Sequence, residues 1–79
     1  MNTYYARQHG ETVTTARARN VTHAARIIAR KLYGRRRSMY VVRLTDTGTD
    51  SGRYMAYVPT GQPGHHMTSV GSEFRVSTI

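Results

Sequence analysis

Residues Asn20 to Gly34, NVTHAARIIARKLYG, decide the fold of this chain. Val21, Ala24, Ala25, Ile28 and Leu32 follow an i, i+3, i+4, i+7, i+11 spacing. At 100° per residue this gathers them into one apolar stripe about 100° wide, the pattern of a helix packed on one side. Both ends carry stop signals. The side-chain carbonyl of Asn20 is suited to accept from the free amides of the first turn, and Gly34 suits the left-handed position just past the last one. The spacing therefore predicts one helix over Val21 to Tyr33. Arg30 and Lys31 in its last turn sit at the negative end of the helix dipole, where cations are favoured.

Outward from this helix the hydrophobic period changes. Thr3 to Gln8 and Glu11 to Arg19 are rich in Thr, Tyr and Val and flank His9-Gly10, which reads as two strands joined by a short turn, or as one bent strand. After the helix, Arg37 to Thr45 (RSMYVVRLT) and Arg53 to Val58 (RYMAYV) have the same character. Asp46 to Gly52 between them is turn chemistry, so the two form an antiparallel hairpin. Pro59 to Gly64 (PTGQPG) reads as a second break, and the tail offers His66 to Val70 and Glu73 to Val76 as short strands around Gly71-Ser72. The fold class expected is α+β: a small antiparallel sheet in the order β-β-α-β-β-β with the helix packed on one face. Tyr40, Val42, Leu44, Tyr54, Ala56 and Val58 are expected beneath the helix. Gln62 to Ile79 is expected to add an edge hairpin whose exposed backbone offers a homodimer contact.

The 79 residues make a single domain with a thin core, because a chain this short buries only a little over ~60% of its unfolded surface. With no Cys there is neither a disulfide framework nor a thiolate metal site. Met1 to Gly10 has no apolar stretch of signal-peptide length, and no run approaches the ~20 apolar residues of a membrane span. The sequence predicts a soluble, unprocessed chain without membrane contact, for which the cytoplasm is the default compartment.

Charge is the most informative feature for function. The chain has 12 basic and 4 acidic residues, a formal charge of +8, and eleven of the cations are Arg. Such a field steers association with an oppositely charged partner, and the planar guanidinium grips phosphate or carboxylate with two donors. Arg26, Arg30, Lys31, Arg35, Arg36 and Arg37 follow one another without an intervening acid, and Arg19 lies within reach on the preceding strand. With the apolar stripe turned to the sheet, His23, Arg26, Arg30 and Tyr33 form a second row directed at solvent. Arg26 and Arg30 have no acidic residue at i±3 or i±4, so the row is not an intrahelical ion-pair ladder. Arg7, Arg53 and Arg75 are isolated in sequence, and GC-rich coding accounts for them adequately.

Catalytic and metal chemistry find little support. Glu11, Asp46, Asp50 and Glu73 are the only carboxylates, and the two Asp are explained by turn capping. There is no Gly-rich nucleophile elbow or phosphate loop. Adjacent His65 and His66 on an extended segment point to opposite sides and lack the further ligands a zinc site needs. The sequence predicts neither an enzyme nor a cofactor or metal site.

The stretch Ala18-Arg-Asn-Val-Thr-His-Ala-Ala-Arg-Ile-Ile-Ala29, followed by a strand, a turn and Arg53-Tyr-Met-Ala-Tyr57, resembles the small phage-encoded anti-CRISPR proteins that inhibit type I systems. It is most similar to a type I-F inhibitor with a strand, a capped helix of the form Ser-x-x-x-Ala-x-Arg-Ile-Ala, and a strand pair ending in Leu-Ala-Tyr. The resemblance covers roughly residues 12 to 58. Length, lack of Cys, the basic helix and element order agree, and the GC-rich style of composition suits a phage or prophage of a proteobacterium with type I-C or I-F immunity. In the inhibitor it resembles, the basic helix binds the repeated backbone subunit of the Cascade surveillance complex and blocks target DNA. Carried over, Arg26 matches the family helix arginine and Arg30 a basic position one turn later. The family's adjacent lysine is replaced by Ala25, which the helix stripe buries.

The expected function is therefore inhibition of a type I effector by binding a Cascade subunit, with non-specific nucleic-acid contact as an accompaniment. The expected partner-binding residues are Arg19, His23, Arg26, Arg30, Lys31, Tyr33, Arg35, Arg36 and Arg37. The alternative is a direct nucleic-acid-binding accessory protein of phage or plasmid origin whose arginines contact phosphates. A toxin-like RNase ranks last, because no acid/base pair is identifiable beyond His, Arg and Tyr.

Overall fold

The computed structural model describes residues 1–34, 38–46 and 51–78. β1 (Asn2–Gln8) and β2 (Glu11–Ala18) precede α1 (Val21–Tyr33), and β3 (Tyr40–Asp46), β4 (Ser51–Gln62) and β5 (His65–Thr78) follow it. All neighbouring strands are antiparallel, in the spatial order β2-β1-β5-β4-β3. This is the β-β-α-β-β-β arrangement the sequence predicts.

Local chemistry explains the elements. His9 and Gly10 both have positive φ, at 52° and 80°, which a two-residue type I′ hairpin turn requires, and they close the β1–β2 pair at Gln8 and Glu11. Asn20 Oδ1 accepts from the His23 amide at 2.8 Å, and the Gly34 amide (φ 80°) donates to the Arg30 carbonyl at 2.9 Å. The helix thus begins and ends where the cap and stop residues place it. It leaves the edge strand β2 and delivers the chain to β3 at the opposite edge, so it must cross the sheet, and it touches all five strands on the way.

The core lies between the helix and the sheet. Val21, Ala24, Ala25, Ile28 and Ala29 meet Tyr4, Ala6, Ala16, Ala18, Tyr54, Ala56, Phe74 and Val76, all buried, with Leu32 partly buried at the margin. The alanines let the backbones approach, and Tyr54 and Phe74, stacked with centroids 6.1 Å apart, supply the bulk. Arg43 lies 5.9 Å over the Tyr54 ring, on the margin of this layer.

Three expectations are corrected. Tyr40, Val42 and Leu44 do not lie beneath the helix: they are 55%, 44% and 40% exposed on the other face, while Met39 and Val41 pack against the core. MYVV is apolar or aromatic at both parities and Arg43 tips the alternation toward Tyr40, Val42 and Leu44, whereas a one-residue shift moves every side chain across the sheet. Tyr54 and Ala56 are correctly placed, and Val58 is only partly buried. Pro59 to Gly64 is not a break throughout, because β4 continues to Gln62 and only Pro63-Gly64 turns; the two tail strands are one continuous β5. Nor is the C-terminal segment an edge hairpin. β5 inserts between β1 and β4, leaving β2 and β3 as the free edges. The central part of the expected turn, residues 47–50, lies outside the described residues.

Candidate functional site

The helix presents its basic side chains in two directions. His23, Arg26 and Arg30 are exposed, as the outer row requires, and Arg19 is exposed just before the helix cap. Arg26 and Arg30 line one wall of a groove of about 480 Å³ whose other wall is Ser38 to Val42 at the start of β3. Among the described residues β3 pairs with β4 alone, so it forms an edge of the sheet beside these arginines. Lys31 points the other way, its Nζ donating to the Thr15 carbonyl at 2.6 Å, which ties the helix to β2. Arg35, Arg36 and Arg37 lie outside the described residues.

Tyr33 does not belong to the outer row. It is partly buried, its hydroxyl donates to the Ser72 carbonyl at 2.7 Å and accepts from Gln8 Nε2 at 2.8 Å, and its ring is tilted against Phe74 at 6.4 Å. Burial pushes its phenol above the usual range, while the Gln8 hydrogen bond pulls the other way. On the helical wheel Tyr33 sits about 125° from the centre of the apolar stripe, nearer its flank than His23 or Arg30. The ring reaches the sheet because Gly71 leaves room: a Cβ there would fall 2.8 Å from Tyr33 Cζ, and φ of 66° also favours glycine. Tyr33 is a packing residue that locks the last helical turn onto β1 and β5.

A second basic surface was not legible in the sequence. On the sheet face away from the helix, Arg7 of β1 is the direct cross-strand partner of Arg75 of β5, and Arg75 is the direct partner of Arg53 of β4. Three arginines distant in sequence thus form one row across three adjacent strands. At about 4.8 Å per strand the row spans about 10 Å. Arg17, paired with Thr3, lies on the same face of β2 and extends the positive field. Glu73 answers it in part, pairing with Arg53 at 3.4 Å in an exposed bridge that contributes little stability. Arg7 and Arg75 also line a shallow cavity of about 430 Å³ with Ser51, Ser77 and Thr78. A signal did exist: each of these arginines adjoins a buried residue, Ala6, Tyr54 or Phe74, and so has outward parity. Aligning them, however, requires knowing that β5 is central.

Like charges directly opposed across strands are destabilising. Arg75→Gln, which removes the middle charge, is therefore expected to raise stability by about 0.5–1 kcal/mol at low salt. Thermal melts check this: the gain should vanish near 1 M salt, where the screening length is about 3 Å. A gain independent of salt, or a loss, would show that the row is not under electrostatic tension.

Among the described residues no group of three or more His, Cys, Asp or Glu is placed to hold a metal ion, and no helix is long and apolar enough to cross a membrane. No protein-family model matches the chain, and no curated protein is significantly similar to it.

Proposed function

We propose that this protein is a non-enzymatic inhibitor of a type I CRISPR effector, acting by occupying a Cascade surface, the repeated backbone subunit first of all, that target DNA must use. The observation that carries the reading is the pair Arg26 and Arg30, exposed on a helix without a single acidic residue and opening on the groove beside the free edge of β3. An acidic partner surface is the natural complement. Its carboxylates would meet guanidinium groups already held by a buried helix, and its backbone could use the β3 edge. The resemblance across residues 12 to 58 supplies the identity of that partner. Ala25, which replaces the resembled family's lysine, is fully buried, so Arg26 and Arg30 must carry the contact that the lysine would share.

The test is a gel shift. Purified type I-C and type I-F surveillance complexes, each preincubated with this protein, should lose target-duplex binding in at least one case. Normal duplex binding with loss only of later cleavage would move the reading to inhibition of nuclease recruitment. Unchanged binding and cleavage by both complexes would refute it.

A further inference from the structure

We propose that the open face of the sheet is a second binding site, which takes a single-stranded nucleic acid with its phosphates on the row Arg7, Arg75 and Arg53 and its bases on Tyr40 and Tyr57. The arginine row lies across the sheet from α1, and of the residues proposed here only Tyr40 also lines the groove beside the helix. Two observations meet here. The first is the row itself: Arg53 is bridged to Glu73, but Arg7 and Arg75 oppose like charges in adjacent strands, which a bound polyanion would relieve, and the two line a cavity together with Ser77 and Thr78, which add hydroxyl groups to the guanidinium pair.

The second observation is aromatic. Tyr40 and Tyr57 are direct cross-strand partners on the face opposite the core, and Tyr40 is 55% exposed. Arg53 and Tyr57 stand four residues apart on β4, about 13 Å at 3.3 Å per residue. Cations at one end of an open sheet face and tyrosine rings at the other, one exposed and one half-buried, are what an unpaired strand uses, because its bases are free to stack while its phosphates are neutralised. A duplex conceals its bases and would leave the tyrosines without a role. An acidic protein would use the arginines but not the ring pair in this way.

The probe is a fluorescein-labelled oligothymidylate of about 12 nucleotides, followed by anisotropy over a salt series against a blunt duplex of equal length. Wild-type protein should bind the single strand more tightly than the duplex. Arg7→Gln with Arg75→Gln should weaken binding at least tenfold and flatten the log–log salt slope by about 1.4, the value expected when two phosphates of a single strand are no longer neutralised. Tyr40→Ala should weaken binding about 5- to 100-fold with little change of slope. Thermal melting confirms that each variant remains folded. Arg26→Glu with Arg30→Glu should leave oligonucleotide affinity within the few-fold change expected of lost net charge. Failure of wild-type protein to bind the oligonucleotide at low salt would overturn the proposal. So would binding indifferent to the Arg7 and Arg75 changes, or equal affinity for duplex with no effect of Tyr40→Ala.

Discussion

Ile28→Asp is expected to abolish cooperative unfolding. Ile28 is fully buried at the centre of the helix stripe, above the layer that contains Tyr54, Phe74 and Val76. No buried charged residue is present among the described residues to pair with a carboxylate there, and the buried Tyr54 hydroxyl could supply one donor at most. A domain of this size has on the order of 4–12 kcal/mol of stability, and an unpaired buried charge costs several kcal/mol even after it protonates or draws in water. The consequence reaches beyond one element, because α1 touches every strand and connects the two edges of the sheet. Circular dichroism through a thermal scan decides the matter: a broad, non-cooperative transition is expected, and a sharp wild-type-like melt would mean that the helix does not cover the sheet.

Arg26→Glu combined with Arg30→Glu is expected to leave the fold intact and to weaken the association with the effector complex by at least a hundredfold. Both side chains are exposed and line the groove at β3 rather than the core, so reversing them leaves the buried layer untouched. Reversal also introduces repulsion against an acidic partner, so its effect should exceed that of alanine at the same positions. A charge-reversed variant that still inhibits would remove the helix face from the mechanism. Lys31 provides an internal contrast. Since its ammonium is already engaged by the Thr15 carbonyl, Lys31→Ala should affect the attachment of the helix to β2 before it affects any partner.

The helix was readable from residues 20 to 34 because cap, stripe and stop all agree on one answer, and the structure places each of them as expected. The first two strands were readable as extended chain but left a bent strand as an alternative, which the positive φ of His9 and Gly10 resolves in favour of a hairpin. β3 was readable as a strand but not as to face, since Met39, Tyr40, Val41 and Val42 are apolar or aromatic at both parities. The tail was harder. A strand that returns to pair with β1 joins residues some seventy positions apart, such as Tyr4 with Thr78, and nothing local in His65 to Thr78 encodes that partner. The same limit applies to function. The helix arginines are neighbours in the chain and declared themselves, whereas Arg7, Arg53 and Arg75 become neighbours only through sheet order. Tyr33 erred in the opposite sense, its place near the arginines in sequence concealing a role in packing against Gly71 and Phe74.

Binding through the helix face is tested most directly by titrating a nuclease-treated type I surveillance complex with wild-type and Arg26→Glu/Arg30→Glu protein, beside a titration of free duplex DNA over a salt series. Wild-type protein should co-elute stoichiometrically with the complex after nuclease has removed bridging nucleic acid, and the charge-reversed protein should not. Absence of a stable complex with any Cascade subunit would contradict the proposed function, and tight, steeply salt-dependent binding of free duplex that the charge reversal abolishes would make direct nucleic-acid binding the activity of the helix face.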